Sequence, residues 1–168
     1  MSVTTQYKLI NLQAGEVYFS ATDYKIEEPT KIKAILGSCV TVTIWHSKSK
    51  LCGMCHYLLC QEYNKISTAN SAANNAEKYR YGESALDYLF KKMSAFHPIN
   101  ECELALFGGS NMYVSTMKPS IGDMNVAYAY TWAKKNKLQF MQEDTLGNVG
   151  RSIHLDLTNG NIEVHRYS

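Results

Sequence analysis

The sequence predicts an α+β domain in which layered sheet carries two main amphipathic helices. Three observations lead there. Several short runs rich in β-branched residues alternate apolar with polar at period two, as half-buried strands do. Two longer segments repeat apolar residues every three or four positions, as helices do. The composition, 168 residues with 45% apolar and 19% charged, is that of an ordinary globular chain. That length buries roughly 70% of the unfolded surface without disulfide or metal staples. One domain over residues 1–168 is therefore expected.

The elements follow in order. Val17-Tyr18-Phe19-Ser20 and Ile32 to Leu36 have strand composition. Val40, Val42 and Ile44 alternate with Thr41, Thr43 and Trp45, His46 to Lys50 is a polar turn, and Met54 to Leu59 returns as a strand. This hairpin brings the region of Cys39 near that of His56. Asn64 to Asn75 is small, polar and without periodicity, so 61–78 is expected to be a surface loop. Gly82 to Phe96 places Leu86, Leu89, Phe90 and Met93 on one helical face, with Ser84 and Asp87 resembling a capping box. Leu104 to Phe107 is a short buried strand running into Gly108-Gly109. Asp123 to Lys137 is the second helix, with Val126, Tyr130 and Ala133 inward and lysines at the end where the dipole favours cations. Leu138 to Gln142 is a strand. Ile153, Leu155 and Leu157, then Ile162 and Val164, flank Asn159-Gly160, which predicts a hairpin with a type I′ turn.

A net charge of +2 leaves no electrostatic footprint for nucleic acid. No stretch approaches the ~18 apolar residues of a membrane helix, and Met1 to Lys8 does not resemble a secretory signal, so no membrane insertion and a cytoplasmic location are expected. In that reducing compartment Cys39, Cys52, Cys55, Cys60 and Cys102 stay thiols. Four of the five crowd into residues 39–60.

Two groups in that stretch suit chemistry. Cys39 follows Gly37-Ser38 at a bend into a strand, where neighbouring backbone N–H groups of Gly37 and Ser38 can support an oxyanion; equally, a cysteine beside apolar strand residues is commonly a small buried hydrophobe. His56 supplies the base a thiol needs, because a free thiol is only a few per cent ionised at neutral pH. A competitor is Cys52-Gly53-Met54-Cys55-His56, a literal haem-attachment pattern and half of a zinc site. It lacks an export signal, a helical context and a second ligand pair, so neither a cofactor nor a metal is expected. Gly108-Gly109-Ser110 is a tight strand exit or a cradle for substrate backbone. Asp144 to Arg151 is an ordered turn or a wall of the site.

Leu36-Gly37-Ser38-Cys39-Val40 with His56 seventeen residues later resembles the CheD family of chemoreceptor glutamine deamidases. So do Ala14-Gly15-Glu16-Val17-Tyr18, Arg80-Tyr81-Gly82, Phe107-Gly108-Gly109-Ser110-Asn111-Met112, Ile121-Gly122-Asp123-Met124-Asn125-Val126, and Glu143-Asp144 with Gly147-Asn148 and Gly150-Arg151. The resemblance spans about 12–166. It implies a sandwich similar to bacterial toxin deamidases and an enzyme that turns receptor glutamines into glutamates through a thioester. Cys39 would be the nucleophile and His56 the base. It also implies chemoreceptors as partners, and a CheC-type phosphatase. The family's third catalytic residue, a threonine five or six positions before the cysteine, is replaced by Ala34 and Lys33. His56 is therefore expected to be oriented by a backbone carbonyl or another side chain. A CheD-like binding module that acts by docking is the alternative from a different class.

Overall fold

The computed structural model describes residues 6–20, 29–62, 75–113 and 118–168. Among these described residues nine strands form two sheets. β1 (Lys8–Asn11), β3 (Thr30–Leu36), β8 (Gly150–Asp156) and β9 (Ile162–Tyr167) form one, in the order β1-β3-β8-β9. β2 (Val17–Phe19), β5 (Leu51–Cys55), β4 (Val40–His46), β6 (Glu103–Gly108) and β7 (Phe140–Thr145) form the other, in the order β2-β5-β4-β6-β7. Beyond one helical turn, α1 (Asn75–Lys78), the helices are α2 (Gly82–Ser94) and α3 (Ile121–Lys135).

Strand alternation divides the core in two. Val40, Val42, Ile44 and Cys55 face α2 and α3, meeting Leu86, Leu89, Met93, Val126 and Ala129. Trp45, Cys52, Met54 and Phe107 face the opposite way, onto Ile32, Ala34, Leu36, Ile153 and Leu155 of the smaller sheet. The result is three layers, helices on sheet on sheet, within the layered α+β class that the sequence predicts. β4 lies between β5 and β6 and all seven of its residues are buried. Truncating one such side chain, Ile44 for example, costs about 2–5 kcal/mol.

Several boundaries differ from the sequence reading, each for a local reason. The return strand starts at Leu51, not Met54, and ends at Cys55, because the turn after His46 closes early through Lys50 N–H to His46 O at 2.8 Å. Tyr81, not Ser84, occupies the N-cap of α2, and no side chain caps it. Backbone carbonyls of Leu59 and Cys60 accept from Gly82 and Glu83 at 2.8 and 3.0 Å and satisfy its first turn instead. The capping box belongs to α3, where Ser120 and Asp123 bond reciprocally at 3.0 Å. Asp123 is thus the third residue of that helix, which begins at Ile121. Ala129 takes the inward place expected for Tyr130, which is 42% exposed and meets Phe140 edge-on. The seventh strand starts at Phe140, after a turn through Lys137. The last hairpin turns through Leu157 to Asn161 with only Gly160 at positive φ (76°), so it is not type I′. Leu157 is pulled into the inter-sheet core and its N–H donates to Thr30 O, which widens the loop. Strand β1 carries no strand signal in the sequence: it is four residues long, mostly exposed and without β-branched alternation. Of the expected 61–78 loop, residues 63–74 lie outside the described residues, and Asn75–Lys78 is helical.

Candidate active site

Val40 and Tyr57 exchange two backbone hydrogen bonds at 3.1 and 3.0 Å. This extends the β4–β5 ladder past Cys55 and sets a register with Thr41 opposite His56 and Cys39 opposite Leu58. Side chains alternate along a strand, so Cys39, Thr41 and His56 share the face turned toward the smaller sheet. Cys39 packs against that inter-sheet cluster. Diagonal neighbours of this kind have Cα atoms about 7–8 Å apart, within reach of long side chains.

The loop that carries Cys39 is fixed at every carbonyl. Gly37 O accepts from Ser110 N–H at 2.9 Å, and Cys39 O from Gly109 N–H at 2.9 Å. Ser38 O accepts from the Asn125 side-chain amide at 3.0 Å, which also donates to Leu58 O at 2.8 Å. Asn125 is fully buried, and its own backbone carbonyl is held by the Tyr57 hydroxyl at 2.6 Å. With the carbonyls turned into the protein, the Ser38 N–H has no backbone acceptor among the described residues, and the Cys39 N–H lies against its own thiol sulfur. Gly108 has φ +107°, and a Cβ there would stand 2.2 Å from Cys39 O, so only glycine allows the strand exit to come this close. Gly108-Gly109-Ser110 is therefore a backbone clamp on the cysteine loop. Asp144 to Arg151 anchors that clamp: buried Arg151 donates to Asp144 at 2.9 Å, Ser110 Oγ at 2.7 Å and Leu146 O at 2.7 Å.

His56 is buried. Its Nδ1 lies 3.0 Å from Leu12 O, which fixes the tautomer with the proton on Nδ1. Its Nε2 has no partner among the described residues, and neither has buried Thr41 Oγ1. Burial lowers the His56 pKa, opposed by the Leu12 carbonyl and the Glu16 charge. Burial also raises that of the Cys39 thiol, opposed by its own backbone N–H. Both shifts favour a neutral thiol and a neutral imidazole over an ion pair. Leu12 is itself held, its N–H donating to Lys33 O at 2.8 Å. Lys33, one of the two positions where the family resemblance implies a threonine, thus holds Leu12 through its backbone carbonyl. The roles of Leu12 and Asn125 leave no mark in composition or spacing; Asn125 is visible beforehand only inside a motif.

Cys52 and Cys55 do not face one another. Three steps along a strand send Cys52 between the sheets and Cys55 toward the helices. The C-x-x-C-H pattern therefore does not bring two thiolates and an imidazole to one ion.

Fold and site define a three-layer α+β protein carrying a thiol and a tautomer-locked imidazole on one face of its central hairpin. The chain matches the family described as CheD chemotactic sensory transduction over residues 65–166. A protein of Pseudomonas syringae pv. tomato named "Probable chemoreceptor glutamine deamidase CheD" is 33% identical, covering 92% of this chain and 87% of its own. A second so named, from Chromobacterium violaceum, is 32% identical over 89% and 77%. A third, from Thermococcus kodakarensis, is 30% identical over 91% and 94%. The chain belongs to the CheD family. Among the described residues no helix is long and apolar enough to cross a membrane.

Proposed function

We propose that this chain is a chemoreceptor glutamine deamidase, as its relatives are named, with Cys39 as nucleophile and His56 as general base. The observation that carries the assignment of the pair is His56 Nε2, buried yet unpartnered on the face it shares with Cys39. The family match over 65–166 begins after both residues, so their roles rest on geometry. Nε2 takes the thiol proton as Sγ attacks the carboxamide carbon of a receptor glutamine. The N–H groups of Ser38 and Cys39 point their charge at the developing oxyanion, with Gly37 giving the bend. The tetrahedral species collapses as Nε2 returns the proton to the departing ammonia, leaving a thioester. Nε2 then accepts a proton from water, whose oxygen adds to the thioester; glutamate is released and the thiol re-formed.

On this reading the protein works in the cytoplasm, with the cytoplasmic part of a chemoreceptor as its substrate. A CheC-type phosphatase is the further partner the family resemblance implies. Purified receptor cytoplasmic domain, incubated with the protein and read by peptide mass spectrometry, tests the proposal. Specific glutamines are expected to gain the mass of amide-to-acid conversion with wild type and not with Cys39→Ala. Identical spectra from the two proteins refute it.

A further inference from the structure

Thr41 is fully buried on the face that carries Cys39 and His56, and it takes no part in the steps those two perform. Its Oγ1 and His56 Nε2 are both buried side-chain atoms without a hydrogen-bond partner among the described residues. The register makes their residues neighbours. Val40 and Tyr57 exchange both backbone bonds, so the next pair inward, Thr41 and His56, is of the non-hydrogen-bonded kind. Such pairs are the narrow ones, with Cα atoms about 4.5 Å apart and side chains closest across the strands. The surroundings offer no other polar group: Leu12, Leu36 and Phe107 belong to the same inter-sheet cluster, and Phe107 opposes Thr41 on its other side. A buried polar atom left unpaired costs stability. Two of them on facing residues, not bonded to each other, suit one small polar guest shared between them.

We propose that Thr41 Oγ1 and His56 Nε2 together bind the water that hydrolyses the Cys39 thioester. The inference rests on the deamidase reading and deepens it, because it gives the second half of the reaction a residue of its own.

The chemistry sets the direction of each bond. The water donates one proton to Nε2 and the other to Thr41 Oγ1, which leaves an oxygen lone pair free for the acyl carbon. As that C–O bond forms, Nε2 takes the first proton. The C–S bond then breaks, the glutamate side chain leaves as a carboxylic acid that ionises in solvent, and Nε2 returns its proton to the Cys39 sulfur. Thr41 gains and loses no proton; it supplies position, which a nucleophile otherwise has to find by diffusion. Formation of the thioester does not need this water, since there Nε2 takes its proton from the thiol. Thr41 therefore acts on deacylation and not on acylation.

The test is the partition of the thioester between water and hydroxylamine. Full-length protein acts on purified receptor cytoplasmic domain in the presence of hydroxylamine, and mass spectrometry compares glutamyl hydroxamate with glutamate at each modified position. That ratio compares two fates of one intermediate, so it does not depend on how fast the intermediate forms. Thr41→Val keeps the shape of the side chain and removes the hydroxyl; the ratio of hydroxamate to glutamate should rise about tenfold or more. Thr41→Ser keeps the hydroxyl and should return the ratio to within about threefold of wild type. Thr41→Ala carries the same reading if Thr41→Val loses its melting transition. A threonine that only packs would slow both products together, so an unchanged ratio without the hydroxyl overturns the proposal. So does a raised ratio that Thr41→Ser fails to lower. Wild type that makes neither product refutes the deamidase reading and this inference with it, whereas active wild type with an unchanged ratio in Thr41→Val refutes the role of Thr41 alone.

Discussion

His56 Nδ1 lies 3.0 Å from the carbonyl oxygen of Leu12, a residue forty-four positions earlier in the chain. The bond leaves Nε2 as the ring's acceptor, and burial keeps the ring neutral to a pH below the usual histidine value of 6.5. Protonation at Nε2 abolishes the base, so the acidic limb of deamidase activity should have its midpoint below pH 6.5. The Cys39 thiol shifts the other way, above 9.0. Its alkylation by iodoacetamide without substrate should therefore keep rising with pH past neutrality. A plateau at neutral pH would instead reveal a thiolate–imidazolium ion pair.

Asn125 ties the loop before Cys39 to the segment after His56 through two carbonyls. Asn125→Ala strips both of their donor in a fully buried place, with a cost of about 2–4 kcal/mol. Asn125→Asp should be worse, because a carboxylate would face two carbonyl oxygens. Urea unfolding measures the loss. Activity per folded molecule should fall as well, since Ser38 is no longer held.

The contrast between the two catalytic candidates and their supports shows what a sequence carries. Cys39 and His56 were legible because the hairpin is local: period-two alternation fixes the strands, and the strands fix the face. Leu12 and Asn125 were not, because each acts through a carbonyl or an amide reaching an element far away in the chain. No residue type announces a backbone carbonyl as a histidine's partner. The same division holds for the fold. Helices α2 and α3 were visible in the spacing of Leu86, Leu89, Met93, Val126 and Ala133. The cap of α2 was not, since the carbonyls of Leu59 and Cys60 replace the side chain that a capping rule looks for.

Arg151 is 3% exposed and divides its three nitrogens among Asp144, Ser110 and Leu146. Lysine has one nitrogen and no fork, so Arg151→Lys leaves two acceptors unserved and should cost about 3 kcal/mol. Arg166, which reaches the other oxygen of Asp144 from an exposed position, should matter far less. Arg166→Ala is expected to cost no more than about 1 kcal/mol. Equal losses from the two substitutions, measured by denaturant unfolding, would show that Arg151 contributes only its charge.

The five cysteines separate by environment, and their labelling rates should follow. Cys52 and Cys55 are fully buried, and burial pushes their thiols up, that of Cys55 to about 12. At neutral pH such a thiol is ionised to an extent on the order of one part in 10⁵, against a few per cent for a free one. Cys102 is half-buried, with its thiol raised to about 11 by desolvation and the neighbouring Glu101 charge. Cys39 and Cys60 are also half-buried. Labelling of the native protein at neutral pH, mapped by mass spectrometry, should therefore mark Cys39 and Cys60 first, Cys102 slowly, and Cys52 and Cys55 only on unfolding. His56→Ala should slow Cys39 at least several-fold and leave Cys60 unchanged, because only Cys39 loses a base. If both rates stay the same in that variant, His56 does not serve Cys39, and the pairing that the hairpin register suggests is wrong.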